Sequence, residues 1–166
     1  SFYGLSKAVG EDYIRLYSRC FGLKHIIFRF ANVYGERQGE TGEGGVISVF
    51  ARKIARKEPV TVFGDGNQTR DFVYAGDIAR AMSLGVGYAG CATLNVSTNE
   101  EVSLNQLIGT MEKILGHKMD VHYGPVRPGD IYASVLSHQA LVETLGMKEY
   151  TDLEKGLAGT LAYFQK

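Results

Sequence analysis

The sequence predicts an α/β fold in a single compact unit spanning 1–166. Three features predict it: apolar residues recur at helical spacing in successive stretches, short β-branched or aromatic runs fall between them, and no repeat or low-complexity linker interrupts the chain. With 45% apolar residues among 166, the chain is long enough to bury one real core.

The first element is a helix, whose apolar periodicity sets in after Ser6. Val9, Tyr13, Leu16, Tyr17 and Cys20 share one face at i, i+4, i+7, i+8 spacing, and Gly22 supplies the stop. Ile26-Ile27-Phe28 with Phe30 is too short and too β-branched for a helix, and its continuous apolarity predicts a strand buried on both faces, as in a parallel sheet. Residues 37–45 are glycine-rich and polar, which predicts a mobile loop where a lid over a ligand could lie.

Val46, Ile47, Phe50, Ala51 and Ile54 form a second helical stripe that ends before Pro59. Val60-Thr61-Val62-Phe63 follows as a strand closed by the turn Gly64-Asp65-Gly66. Residues 71–74 give another strand, Asp77 is placed to cap a helix using Ile78, Ala81 and Met82, and residues 93–96 give a further strand. Ser103 with Gln106 makes a capping box for a helix through Leu104, Leu107, Ile108, Met111 and Leu115, stopped at Gly116. Thr151 with Glu154 repeats the device before Leu153, Leu157, Leu161 and Phe164.

The 18 basic and 18 acidic residues cancel, which argues against a nucleic-acid groove or an anionic membrane surface as partner. No apolar run approaches the roughly 20 residues a membrane helix needs. Cys20 and Cys91 lack a C-x-x-C spacing and read as reduced thiols of a soluble, cytoplasmic protein. The histidines invite structural readings: His25 begins a strand, His122 alternates within one, and His117 and His138 are solvated. None has a second ligand at metal spacing, so no metal is expected.

The chemistry begins at Tyr3 and Lys7. Four residues apart at a helix start, their side chains lie on one face, one turn from each other. An ammonium there favours the phenolate, the form a general base requires. Alone, the pair is equally an exposed helix start. Asn32, after the first strand, is on its own either a ligand-facing amide or a turn residue. Arg70 is on its own either a phosphate fork or a surface arginine paired with Asp71 or Asp65.

Taken together, the ordered segments resemble a known family. Ser1-Phe2-Tyr3-Gly4-Leu5-Ser6-Lys7-Ala8 with Glu11 resembles the active-site helix of extended short-chain dehydrogenases/reductases, the NAD-dependent epimerase/dehydratase family. Arg29-Phe30-Ala31-Asn32-Val33-Tyr34-Gly35 resembles the segment after the sixth Rossmann strand of that family. The run from Phe63 through Gly64-Asp65-Gly66-Asn67-Gln68-Thr69-Arg70-Asp71-Phe72-Val73-Tyr74 resembles its substrate-domain hairpin, and Arg127-Pro128-Gly129-Asp130 its late R-x-G-D element.

The resemblance implies the C-terminal part of a Rossmann-like enzyme. Residues 1–35 and about 60–100 would hold the residual Rossmann elements, and 36–58 and 101–166 mostly the substrate-binding domain, with the NAD-binding half absent. Tyr3 and Lys7 would be catalytic and touch NAD, and Ala31 and Val33 would line the nicotinamide pocket. Asn32, Arg70 and Arg127 would bind the substrate diphosphate or ribose, and Asp130 would accept from ribose hydroxyls. Backbone at Gly45 and Val46 would approach the diphosphate at a helix N-terminus, where free N–H groups favour anions. Thr61, Val62 and Phe63 would edge a uracil or thymine ring.

Two family features are missing. The G-x-x-G-x-x-G turn that cradles the NAD pyrophosphate is not among the glycine clusters at 42–45, 64–66 and 85–90, and the Ser or Thr partner of the tyrosine would lie before Ser1. Ser137 stands where the family often has aspartate, and either residue caps a helix. The segments look most like nucleotide-sugar 4-epimerases of the UDP-glucose/UDP-galactose type, with a 4,6-dehydratase or a non-catalytic sugar-nucleotide-binding fragment as alternatives. UDP- or dTDP-linked sugars are the implied substrates, and a homodimer through the helix of Tyr3 and Lys7 the implied assembly.

Overall fold

The computed structural model describes residues 1–39 and 45–166. Residues 40–44, most of the expected mobile loop, lie outside the described residues. In chain order the elements are α1 (Phe2–Phe21), β1 (His25–Phe30), β2 (Asn32–Tyr34), α2 (Val46–Ala55), β3 (Val60–Phe63), β4 (Thr69–Arg70), β5 (Phe72–Tyr74) and α3 (Ala75–Gly85). They continue as β6 (Cys91–Val96), β7 (Val102–Ser103), α4 (Leu104–Leu115), β8 (Val121–Gly124), α5 (Gln139–Leu145) and α6 (Leu153–Phe164).

The α/β prediction holds, and most strand pairs are parallel. β1 pairs with β6 from His25–Cys91 to Phe30–Val96, β2 with β5 from Asn32–Phe72 to Tyr34–Tyr74, and β3 with β8, while β4 and β7 run antiparallel. Between β1 and β2 the chain changes partner. Ala31 N–H still donates to Val96 O at 3.0 Å, and Asn32 N–H already donates to Asp71 O at 2.8 Å. Ligands of open parallel sheets collect where strand order changes at the carboxyl ends, and this crossing is such a point.

Two apolar cores result. The larger joins Ile47, Phe50 and Ala51 of α2, Val60 and Val62 of β3, Leu104, Leu107, Ile108 and Met111 of α4, and Leu157 and Leu161 of α6 around Tyr34 and Phe72. The smaller gathers Val73, Ile78, Ala81, Leu94, Val96, Leu141 and Met147.

Local signals were accurate where the chain alone decides. Ser103 Oγ accepts from Gln106 N–H at 3.1 Å while Gln106 Oε1 accepts from Ser103 N–H at 2.8 Å, and Gly116 ends α4 at φ 73°. Gly22 ends α1 at φ 70°, and at its start Ser1 Oγ accepts from Gly4 N–H at 3.1 Å. Gly66 is required twice over: its φ is 77°, and a Cβ there would lie 2.2 Å from Asn105 Oδ1.

Several expectations need correction. Asp77 is not an N-cap, because α3 starts at Ala75. It is buried in the first turn and accepts from Thr151 N–H at 2.8 Å and Thr151 Oγ1 at 3.1 Å. Thr151 is thereby engaged, and Asp152 caps α6 instead, accepting from Lys155 N–H at 3.1 Å. His138 is not solvated: Nδ1 lies 2.8 Å from Ser97 O and the ring stacks on Tyr150 at 5.2 Å. Ser137 Oγ reaches Gln139 N–H at 3.4 Å from one position before the N-cap of α5. The strand expected over 71–74 starts at Phe72, and the one expected over 93–96 starts at Cys91.

The strand expected to be buried on both faces is not. Only Ile27 of β1 is buried, and Phe30 is 45% exposed, because β1 has a single strand neighbour and α1 covers it with a polar face. Glu11, Arg15 and Ser18 point at the sheet, while Tyr13, Leu16 and Tyr17 point away and α1 buries no residue. Cys20 and Cys91 are free and exposed. Among the described residues no helix is long and apolar enough to cross a membrane.

Candidate functional site

Tyr3 sits on the first turn of α1, and Lys7 follows one turn later with its Nζ 5.2 Å from the centre of the Tyr3 ring. The helix carrying them is fastened to the sheet by charge. Glu11 takes Arg29 Nε and Nη2 at 2.7 Å each and Arg15 Nη2 at 2.7 Å, and Arg15 reaches Thr93 Oγ1 at 3.4 Å. The Arg29 guanidinium, seconded by Arg15, holds the Glu11 carboxyl down to about 2 from 4.5. Glu11 thus fixes how α1, and with it Tyr3, faces the end of β1.

A cavity of about 360 Å³ opens there. It is lined by Tyr3, by Ala31, Asn32 and Val33 at the β1–β2 crossing, and by Gly45 and Val46 at the start of α2. These are residues singled out from sequence for the nicotinamide, the sugar and the diphosphate. Gly45 precedes a helix whose first N–H groups have no side-chain cap among the described residues, a place that favours an anion. Phe30, Tyr34, Gln38, Ile47 and Phe72 complete the wall. Gln38, which sequence reading missed, donates Nε2 to Val33 O at 3.2 Å. It lies in a stretch with no periodicity or motif to single it out.

The remaining sequence-singled residues lie outside this cavity. In β3 the alternation buries Val60 and Val62 and turns Thr61 and Phe63 outward, so Val62, fully buried, has only its backbone to offer a ligand. The Arg127 guanidinium stacks 3.6 Å over the Phe63 ring. The turn after it closes with Asp130 N–H donating to Arg127 O at 3.2 Å, and both side chains are exposed. Arg70 does not pair with Asp71 or Asp65. Its Nη1 donates to Thr69 O at 2.7 Å, whereas Asp65 accepts from Asn67 and Asp71 is buried in bonds of its own. Both guanidinium forks are therefore free of carboxylate partners among the described residues, as an anion site needs.

A larger cavity, about 430 Å³, lies between the end of α2 and residues 117–120, and none of the residues singled out as ligands from sequence lines it. Among the described residues there is no group of three His, Cys, Asp or Glu able to hold a metal ion.

The residues present fit NAD only in part. Tyr3, Ala31 and Val33 around one cavity suit the nicotinamide end, but among the described residues no G-x-x-G-x-x-G turn joins a strand directly to a helix for the pyrophosphate.

The chain is similar to known proteins along most of its length. Residues 1–88 match the model of the NAD dependent epimerase/dehydratase family. A Methanocaldococcus jannaschii protein provisionally named a UDP-glucose 4-epimerase is 43% identical over 155 residues, covering 93% of this chain and 50% of that protein. The UDP-glucose 4-epimerase of Thermotoga maritima, solved with UDP-glucose, superposes with a TM-score of 0.92 at 38% identity, covering 98% of this chain and 52% of the other. The Thermus thermophilus UDP-glucose 4-epimerase, solved with NAD, superposes at 0.88 with 34% identity over 98% of this chain and 53% of the other. The chain spans about half the length of the curated relatives it matches, and it belongs to the NAD dependent epimerase/dehydratase family.

Proposed function

We propose that this chain is the nucleotide-sugar-binding part of a UDP-sugar 4-epimerase and carries that enzyme's catalytic tyrosine. The single observation that supports the reading best is the shared cavity of Tyr3, Ala31, Asn32, Val33, Gly45 and Val46 at the sheet crossing. In this reading Tyr3 Oη takes the proton from the sugar 4-hydroxyl and returns it. The Lys7 ammonium, above the Tyr3 ring, would hold the nicotinamide ribose. When bound, NAD would supply a reversible hydride acceptor.

The Asn32 amide, the α2 N-terminus and the forks of Arg70 and Arg127 hold the diphosphate. The outer face of β3, through Thr61, Phe63 and the backbone of Val62, borders the uracil or thymine ring, and Asp130 accepts from the ribose hydroxyls. The apolar face of α1 would be covered by the same helix of a second copy, a homodimer that sedimentation would detect and that Leu16→Arg would dissociate. Located in the cytoplasm, such an enzyme would meet free nucleotide sugars.

By itself the 166-residue chain is proposed to bind UDP-sugars without turning them over, since only part of an NAD site fits. The test joins it to an NAD-binding half from a full-length relative and follows interconversion of UDP-glucose and UDP-galactose. Tyr3→Phe should lower kcat at least about 100-fold, as loss of a general base does, with UDP affinity unchanged. Equal turnover by the variant would refute the role of Tyr3. Release of water from the substrate in place of epimerisation would favour a dehydratase.

A further inference from the structure

Asp71 is 1% exposed, yet no cation is paired with it among the described residues. Its carboxylate is held by donors from two other segments. Oδ1 accepts from Thr98 N–H at 2.9 Å and Thr98 Oγ1 at 2.8 Å, and Oδ2 from Asn99 N–H at 3.1 Å and Leu136 N–H at 3.4 Å. Its main-chain carbonyl accepts from Asn32 N–H at 2.8 Å. A buried charge is expensive unless fully hydrogen-bonded, and an apolar residue would fill the space at less cost. What distinguishes Asp71 is what it joins.

On one side its carbonyl fixes Asn32 in the cavity wall. It follows Arg70 directly in the chain. On the third side it holds Leu136, the far end of the loop that carries Arg127 and Asp130. That loop is tied beside Arg70 a second time, by Thr69 N–H donating to Tyr132 O at 2.8 Å, and its end is secured by Ser97 Oγ donating to Leu136 O at 2.8 Å.

We infer that Asp71 is a positioning residue for the diphosphate: one buried carboxylate, flanked by its own carbonyl bond, sets Asn32, Arg70 and the Arg127 loop relative to one another. The inference rests on the reading of Arg70 and Arg127 as diphosphate ligands. Asp71 does not touch the ligand, so it acts through the loop.

Asp71→Asn keeps the shape and the carbonyl but turns an amide N–H₂ against the N–H donors of Thr98, Asn99 or Leu136. The test is a UDP titration of the chain by calorimetry for wild type, Asp71→Asn, Arg127→Met and the double variant, alongside amide hydrogen exchange over 130–137. Asp71→Asn should weaken UDP about tenfold, Arg127→Met at least as much, and the double variant no more than Arg127→Met alone, because residues acting through one another are non-additive. Exchange over 130–137 should quicken in Asp71→Asn without ligand.

Additive losses, or unchanged exchange in that loop, would overturn the positioning role. Failure of the wild type to bind UDP, with exchange still quickened, would instead overturn the assignment of Arg70 and Arg127. If Asp71→Asn does not fold, Ser97→Ala removes only the bond to Leu136 O and should give the same non-additive pattern at smaller size. Additivity there counts against the proposal equally.

Discussion

Helices α1 and α4 are built to the same local rules and end in opposite situations. Each is amphipathic, each is capped by a serine whose hydroxyl accepts from the third residue of the helix, and each stops at a left-handed glycine. Yet α4 buries Leu104, Leu107, Ile108 and Met111 in the larger core, whereas α1 buries nothing and meets the sheet through Glu11, Arg15 and Ser18. An apolar stripe therefore announces that a face must be covered and does not say by what. The helix that completes a core and the helix that bears the candidate catalytic pair are distinguished only by tertiary structure.

The sharpest way to break this contrast is to truncate each stripe. Leu107→Ala, in the packed core, should cost about 3 kcal/mol or more, as buried leucines do. Leu16→Ala, at 45% exposure, should stay within about 0.5 kcal/mol in a monomeric chain. Chemical denaturation of both decides it, and equal losses would mean that the α1 face is already covered.

A smaller effect comes from the polar anchor of α1. Glu11 has its folded-state pKa depressed from 4.5 to about 2, so its contribution is fully present above about 4.5 and is lost as pH falls toward 2. Glu11→Gln should cost about 1 kcal/mol at neutral pH, discounted because Arg29 is largely exposed. The gap between variant and wild type should close on acidification, and a gap that stays constant down to pH 2 would show that the charge is irrelevant. Smallest of all are the caps: Ser103→Ala should cost about 1 kcal/mol or slightly less, while Ser1→Ala, on a helix that buries no residue, should be barely measurable in the same melts.

What could be read in advance follows the same division. The capping box at Ser103, the glycine stops and the alternation of β3 were legible because each depends on neighbours within a few residues. The roles of Asp77, Thr151 and His138 were not, since their partners lie tens of residues away and leave no periodic trace. The candidate site was legible as an ordered set of segments carrying Tyr3, Asn32, Arg70 and Arg127. Its cohesion was hidden: Asp71 looked like a surface partner for Arg70 and proves to be buried, and Gln38 has no pattern around it at all.

One titration addresses the central claim most directly. With UDP and, separately, NAD added to the 166-residue chain, the account predicts stoichiometric UDP binding that weakens at least about tenfold in Arg70→Met and in Arg127→Met, with no tight binding of NAD. UDP binding indifferent to both arginines, or tight stoichiometric binding of NAD, would contradict it.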